Sequence, residues 1–289
     1  MTVRTPSNGP DSPPPPSPPP TATTAAPTSI PVLDREIEAV SLDVGGVLTV
    51  PDEGLIAHAM RRHGVPHDRA RFLDGHYLAM AEVDRCRSDP EEFTDYQREF
   101  LRAVDVPDEY LELGAAVLTE LMSCPLWCQR VPGSQVAARR LAASGLRLAL
   151  TSNADGTIED MLRRHEIAQV GSGPGLAVEH ITDSGIVGKA KPDPEMFLTT
   201  AAALGIALER ILHIGDSGGF DAEGAAAVGM LAVHVHPLGL CGDGHHHVAS
   251  LAALADLVDV ASGAGGLGGP GGAGRSGGAS GAGAQEGAW

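Results

Sequence analysis

Four short strings carry residue types that could do chemistry together. In Leu42-Asp43-Val44-Gly45-Gly46-Val47-Leu48, Asp43 directly follows the apolar run Ala39, Val40 and Leu42, which reads as a buried strand. A carboxylate at such a strand end is costly unless it is paired or used, although an aspartate beside glycines is also ordinary turn-capping chemistry. Thr151, Ser152 and Asn153 follow Leu148-Ala149-Leu150. Lys191 stands in Gly188-Lys189-Ala190-Lys191-Pro192-Asp193-Pro194, and Asp216 and Asp221 lie in His213-Ile214-Gly215-Asp216-Ser217-Gly218-Gly219-Phe220-Asp221. A carboxylate nucleophile can form an acyl phosphate and so split a hydrolysis into two easier steps. A hydroxyl and an amide can hold phosphoryl oxygens, while a lysine offsets charge on nucleophile and phosphate. Asp43 with Asp216 supplies hard oxygen ligands suited to Mg²⁺.

For these groups to meet, they must share one edge of a sheet. The sequence supports this, because strand-like and helix-like segments alternate. Leu146 to Leu150, Ile211 to Ile214 and Leu231 to Val235 read as further strands. Ser134 can cap a helix running to Ala143, and Thr157 opens one with Ile158, Met161 and Leu162 on one face. Asp193-Pro194 is an N-cap followed by proline at the first helical position, with Phe197, Ala201 and Leu204 inward and Gly205 as the stop. Such alternation predicts a Rossmann-like, doubly wound parallel sheet, whose strands present their carboxyl ends along one edge. Residues 52–130 break the pattern: they contain no convincing strand and read as successive helices. Ile56, Ala59, Met60 and His63 share one face, Phe93, Tyr96, Phe100 and Val104 another, and Leu111, Val117, Leu118 and Leu121 a third. This predicts an all-helical cap over 52–130 inserted into an α/β core of residues 33–51 and 131–261.

The remaining segments bound the answer. Residues 1–32 are dominated by Pro, Ser and Thr, and residues 262–289 by Gly, Ala and Ser, so both are expected to be disordered tails. Lys plus Arg is 20 against 37 Asp plus Glu, a net charge of −17, which argues against nucleic acid and anionic membranes as partners. There is no signal-type apolar region and no apolar run of spanning length, so a cytoplasmic protein is expected. The four cysteines, Cys86, Cys124, Cys128 and Cys241, make no disulfide framework and read as ordinary buried thiols. His245-His246-His247 resembles a metal tract, but its Gly-rich surroundings favour a solvated loop. His213, on a buried strand, reads as a packed core histidine.

Taken in order, the four strings resemble the haloacid dehalogenase-like (HAD) hydrolase superfamily, in its subfamily with a helical cap inserted after the first motif, over roughly residues 36–258. The resemblance implies Asp43 as nucleophile and Ser152, in preference to Thr151, as the second-motif hydroxyl. Lys191 matches the third-motif lysine, and Asp216 and Asp221 the acidic fourth motif. Substrate would meet Ser152, Asn153 and Lys191. Mg²⁺ would be held by Asp43, the backbone carbonyl of Gly45, Asp216 and Asp221, with Asp221 either on the metal or hydrogen-bonded to Lys191. The implied activity is Mg²⁺-dependent hydrolysis of a small phosphorylated metabolite through an aspartyl-phosphate on Asp43. One position departs from the pattern: family phosphatases usually carry a general-acid aspartate where this chain has Gly45, and losing such an acid removes about 10²–10⁴-fold in rate. Two alternatives follow, a dehalogenase using Asp43 as carbon nucleophile and a catalytically weak regulatory or binding protein of the same fold. Specificity is expected in the cap, where Arg61, Arg62, Arg85 and Arg87 either touch substrate or face water.

Overall fold

The computed structural model describes residues 28–30, 35–88, 94–122, 125–242 and 244–264. Its strands are β1 (Thr28–Ile30), β2 (Arg35–Ile37), β3 (Ala39–Leu42), β4 (Thr49–Val50), β5 (Gln129–Arg130), β6 (Arg147–Ser152), β7 (Ala168–Val170), β8 (Leu176–Val178), β9 (His180–Asp183), β10 (Ile211–Gly215), β11 (Leu231–Val235) and β12 (His246–Val248). Six of them form the central sheet in the order β12-β11-β10-β3-β6-β9, and every pairing in it is parallel. A parallel sheet buries both faces, which is why all four residues of β3 are apolar or small and buried. The register Ile214↔Leu42↔Leu150 sets the ends of the three central strands level. Asp43, Ser152 and Asp216 therefore emerge on one edge.

The cap is inserted after β4. It comprises α1 (Glu53–Arg62), α2 (Phe72–Cys86), α3 (Thr94–Ala103) and α4 (Leu111–Leu121). Their inward stripes close a core of their own around Ile56, Met60, Phe72, Phe100, Leu101 and Leu118. Within this segment Tyr96, Phe100 and Val104 are buried as their spacing predicts, while Phe93 lies outside the described residues. The segment is not strand-free, however. Gln129–Arg130 pairs antiparallel with Thr49–Val50, so the two chain crossings between core and cap are tied to each other. Two-residue strands arise from pairing rather than propensity, and they leave no periodic signal.

The core helices are α5 (Ser134–Ala143), α6 (Ile158–Arg164), α7 (Ser184–Val187), α8 (Pro194–Leu204), α9 (Gly224–Ala227) and α10 (Leu251–Ala264). Leu141 of α5, Leu162 of α6 and Leu254 of α10 pack on one face of the sheet, and Met196 and Phe197 of α8 with Ala225 of α9 on the other. Each of the leucine, methionine and phenylalanine side chains contributes about 1.5–3 kcal/mol by burial. Asp193 caps α8 by accepting from the Glu195 N–H, with Pro194 at the first position. Ser134 does not cap α5: Gly133 is the N-cap, and the Ser134 hydroxyl donates to the Val131 carbonyl at 2.8 Å. The expected tails fall largely outside the described residues; of those described, Thr28–Ile30 pairs with Arg35–Ile37 and α10 reaches Ala264. No helix among the described residues is long and apolar enough to cross a membrane.

Candidate active site

Asp43 hangs from the end of β3, its backbone N–H bonded to the Ile214 carbonyl of β10 at 2.7 Å. Its Oδ1 lies 2.8 Å from Lys191 Nζ, and the same ammonium lies 2.6 Å from Asp221 Oδ1. Asp43, Lys191, Asp216 and Asp221 are all buried, and oxygens of the three carboxylates lie within 4.8 Å of one another. Three carboxylates face one ammonium, an excess of two negative charges when all are ionised. Burial accordingly raises Asp43, with Asp221 and Asp216 adding to the rise against the pull of Lys191. Asp216 is pushed well up by burial and by Asp221. Burial also acts on Asp221, yet Lys191 and His213 outweigh it and hold that carboxyl below the usual range. Lys191 stays charged in spite of burial because Asp221 and Asp43 flank it.

A buried line of hydrogen bonds supports this cluster from beneath. His213 bonds Asp221 Oδ1 at 2.9 Å and Ser41 Oγ at 3.0 Å. Ser41 meets Thr151 at 2.8 Å, Thr151 meets Thr200 at 2.7 Å, and Thr200 meets Thr182 at 2.7 Å. Thr151 thus points away from the cleft, and Ser152 is the hydroxyl that lines it. Alternation of side chains along a strand separates the two.

Above the cluster lies a cavity of about 700 Å³. The core supplies its polar floor, and the cap supplies His76, Met80, Tyr96, Leu126 and Trp127 as a largely aromatic and apolar wall. His76 bridges cap and core: its Nε2 lies 2.9 Å from Asp216 Oδ2 and its Nδ1 2.9 Å from the Tyr96 hydroxyl. Burial lowers its pKa to about 3, so the ring is neutral. Tyr77 donates to the Gly46 carbonyl at 2.7 Å. Asp84, also on α2, accepts from the Ser217 hydroxyl at 2.5 Å and from the N–H groups of Gly218 and Gly219 at 2.7 and 3.0 Å. Those three donors open the π-helical turn Gly218–Glu223, a distortion frequent at functional sites.

Fold, cluster and motif order all point one way, and the family model for haloacid dehalogenase-like hydrolases matches residues 37–229. The chain belongs to this family. It is therefore a HAD-like hydrolase. It is similar to haloacid dehalogenase-like hydrolase domain-containing protein 3 of Mus musculus, 32% identical over 130 residues, covering 45% of this chain and 49% of the mouse protein. Phosphoserine phosphatase of Thermus thermophilus is 34% identical over 129 residues, covering 45% and 48%. The chain thus spans about half the length of these two relatives. Phosphatase MT3486 of Mycobacterium tuberculosis is 27% identical over 211 residues, or 72% and 91%. Among solved structures, a dehalogenase with intermediate complex superposes with a TM-score of 0.51 at 16% identity, covering 76% of this chain and 96% of that one. The HAD-hydrolase YfnB from Bacillus subtilis bound to magnesium gives 0.50 at 17%, covering 77% and 99%. At these identities the structures share the fold.

Within the HAD-like frame, several residues sit differently from their sequence reading. Asn153 lines the cavity, and its amide also accepts from the Lys191 N–H at 2.6 Å and donates to the Lys191 carbonyl at 3.1 Å, which fixes the backbone of the lysine. Asp221 has both oxygens engaged, one by Lys191 and His213 and the other by the Ser217 N–H at 3.1 Å. Asp43 and Asp216 are consequently the carboxylates best placed for a cation. The Gly45 carbonyl accepts from Val47 N–H at 2.7 Å and keeps a second lone pair. None of Arg61, Arg62, Arg85 and Arg87 lines the cavity; all four are exposed, and Arg87 pairs with Glu223 across the cap–core junction. Lys189 at the cavity rim, together with His76, Asp84 and Trp127, was not legible as a site residue. Each comes from a helix or loop whose azimuth only docking decides.

Proposed function

We propose that this HAD-like hydrolase is a Mg²⁺-dependent phosphohydrolase acting in the cytoplasm on a small phosphorylated metabolite, with neither nucleic acid nor membrane as partner. The observation that carries this reading is the trio of buried carboxylates around one ammonium at the floor of the cavity. Its excess of two negative charges and its all-oxygen donors fit a hard divalent cation, since uncompensated buried charge is expensive. Asp43, Asp216 and the Gly45 carbonyl would hold the ion, with Asp221 at the edge of the set. When bound, Mg²⁺ would neutralise charge on the nucleophile and the phosphoryl oxygens.

The residues of the chain divide the remaining work. Lys191 holds Asp43 Oδ1, and Asp43 Oδ2 attacks phosphorus, forming the aspartyl-phosphate as the bond to the leaving oxygen breaks. Ser152 and Lys191 hold the phosphoryl oxygens. Water then attacks phosphorus, releasing phosphate and restoring Asp43. With Gly45 where an acid would stand and an aromatic wall above it, the leaving group takes its proton from water, so leaving groups of low pKa react best. The phosphatase relatives support the same reading, as does a magnesium-bound neighbour of the same fold.

An activated aryl phosphate should be hydrolysed slowly and only with Mg²⁺, and Asp43→Asn should abolish turnover. The apolar wall suits a second reading, displacement of halide at carbon by Asp43. Metal-independent halide release from a 2-haloacid, with no phosphatase signal, would establish that reading and overturn the first.

A further inference from the structure

Beside the Asp216 loop, nitrogen and sulfur donors converge that the hydrolytic reading does not use. His234 on β11, Cys241 in the following loop, and His245 and His247 at β12 each offer one nitrogen or sulfur, and these atoms all lie within 4.8 Å of one another. His234 Nδ1 is 3.0 Å from His245 Nε2, and Cys241 Sγ is 3.5 Å from that same nitrogen. The rings of His245 and His247 have centroids 4.5 Å apart. Parallel pairing sets His247 directly opposite His234, and residues 245 and 247 fall on one face by strand alternation while exposed His246 faces the other way. This corrects the expectation of a solvated histidine loop. His246 and His247 belong to the edge strand and His245 directly precedes it; His245 and His247 gather with a cysteine and a buried histidine.

We propose that His234, Cys241, His245 and His247 form a tetrahedral zinc site bracing the edge of the sheet against the Asp216 loop. Thiolate and imidazole together select zinc among common divalent ions. Zn–N bonds of about 2.0–2.1 Å and a Zn–S bond of about 2.3 Å put ligand atoms roughly 3.3–3.6 Å apart. Two of the separations, 3.0 and 3.5 Å, are already close to that, all lie within 4.8 Å, and the exposed His247 side chain closes the remainder. The surroundings are prepared as well. His234 Nε2 lies 2.9 Å from the Asp216 carbonyl; donation of its proton there leaves Nδ1 as the lone pair facing the cluster, the usual outer arrangement of a metal-bound histidine. Loop 236–241 is folded so as to deliver the thiol, with Leu240 N–H on His236 Nδ1 at 3.3 Å and Gly239 at φ 63. Gly218, with no side chain, leaves room for the His245 ring: a Cβ there would lie 3.3 Å from its Cε1.

The site is separate from the Mg²⁺ reading and differs from it in donor chemistry, so one experiment distinguishes them. Full-length protein stripped with a chelator is titrated with Zn²⁺, and separately with Co²⁺, whose thiolate complexes absorb by sulfur-to-metal charge transfer. The expected result is one zinc retained per chain after desalting and a charge-transfer band with cobalt. Cys241→Ser should abolish the band. His247→Ala, at an exposed position where folding is not at stake, should weaken zinc binding by about 100-fold, the upper end of what loss of even an outer-shell partner costs. Asp43→Asn should leave the band intact, because the oxygen site has no sulfur. Absence of retained zinc, or a cobalt complex indifferent to Cys241→Ser, would overturn the proposal.

Discussion

Adding a methyl group to Gly45 and to Gly46, one at a time, should give opposite results one residue apart. Gly46 has φ 61, a conformation costing a non-glycine residue about 1–2 kcal/mol. A Cβ there would lie 2.0 Å from Asp216 Oδ2 and 2.6 Å from Asp216 Cβ. Rotating the carboxylate away does not relieve the second contact, so the loops must separate, at about 1–3 kcal/mol for overpacking. The His76–Asp216 hydrogen bond is then lost, a further contribution of about 0.5–1.5 kcal/mol. Gly46→Ala should therefore cost about 4 kcal/mol, and at roughly 2–4 °C per kcal/mol for a unit of this size its Tm should fall by about 8–16 °C. Gly45 is not in the left-handed region, and its added Cβ would meet Trp127 at 3.4 Å, an ordinary contact. Gly45→Ala should melt within about 2 °C of the parent, in line with an unstrained substitution. Thermal unfolding by circular dichroism of both variants decides the matter. A Gly46→Ala protein melting with the parent, or a Gly45→Ala protein falling as far as its neighbour, would refute the packing argument.

The same tolerance at Gly45 makes a functional prediction: Gly45→Asp should raise turnover of alkyl phosphates by about 10²-fold through a restored general acid, measured as Mg²⁺-dependent phosphate release. Ser152→Ala and Thr151→Ala should separate activity from stability. The first should lower kcat with little change in Tm, whereas the second breaks the buried hydroxyl line and should cost about 1–3 kcal/mol in urea unfolding. Asp84→Ala should strip the acceptor from Ser217, Gly218 and Gly219 and speed proteolysis at the cap–core junction. Lys191→Met should leave three buried carboxylates without a cation and destabilise the protein by about 3–5 kcal/mol, with part of the loss recovered by added Mg²⁺.

Strand-end chemistry is local, and so it could be read from the chain alone. An apolar run, then a polar residue, then glycine or proline announces where β3, β6 and β10 end and which groups they carry, because burial and turn geometry act over a few residues. The doubly wound sheet, the helical insertion and the four strings holding Asp43, Ser152, Lys191 and Asp216 follow from that. Other features depended on elements meeting in space. The three-residue strands β7, β8 and β12 exist through pairing, so neither they nor the grouping of Cys241 with His234, His245 and His247 had a periodic signature. His76 and Asp84 sit on α2, whose apolar stripe packs in the cap, and only the docking of the cap aims these two polar groups at Asp216 and the Ser217 turn. Even the two adjacent glycines look alike in sequence. Tertiary structure assigns Gly46 the left-handed turn against Asp216 and leaves Gly45 facing Trp127, because backbone torsion and close approach are settled by what packs across the cleft.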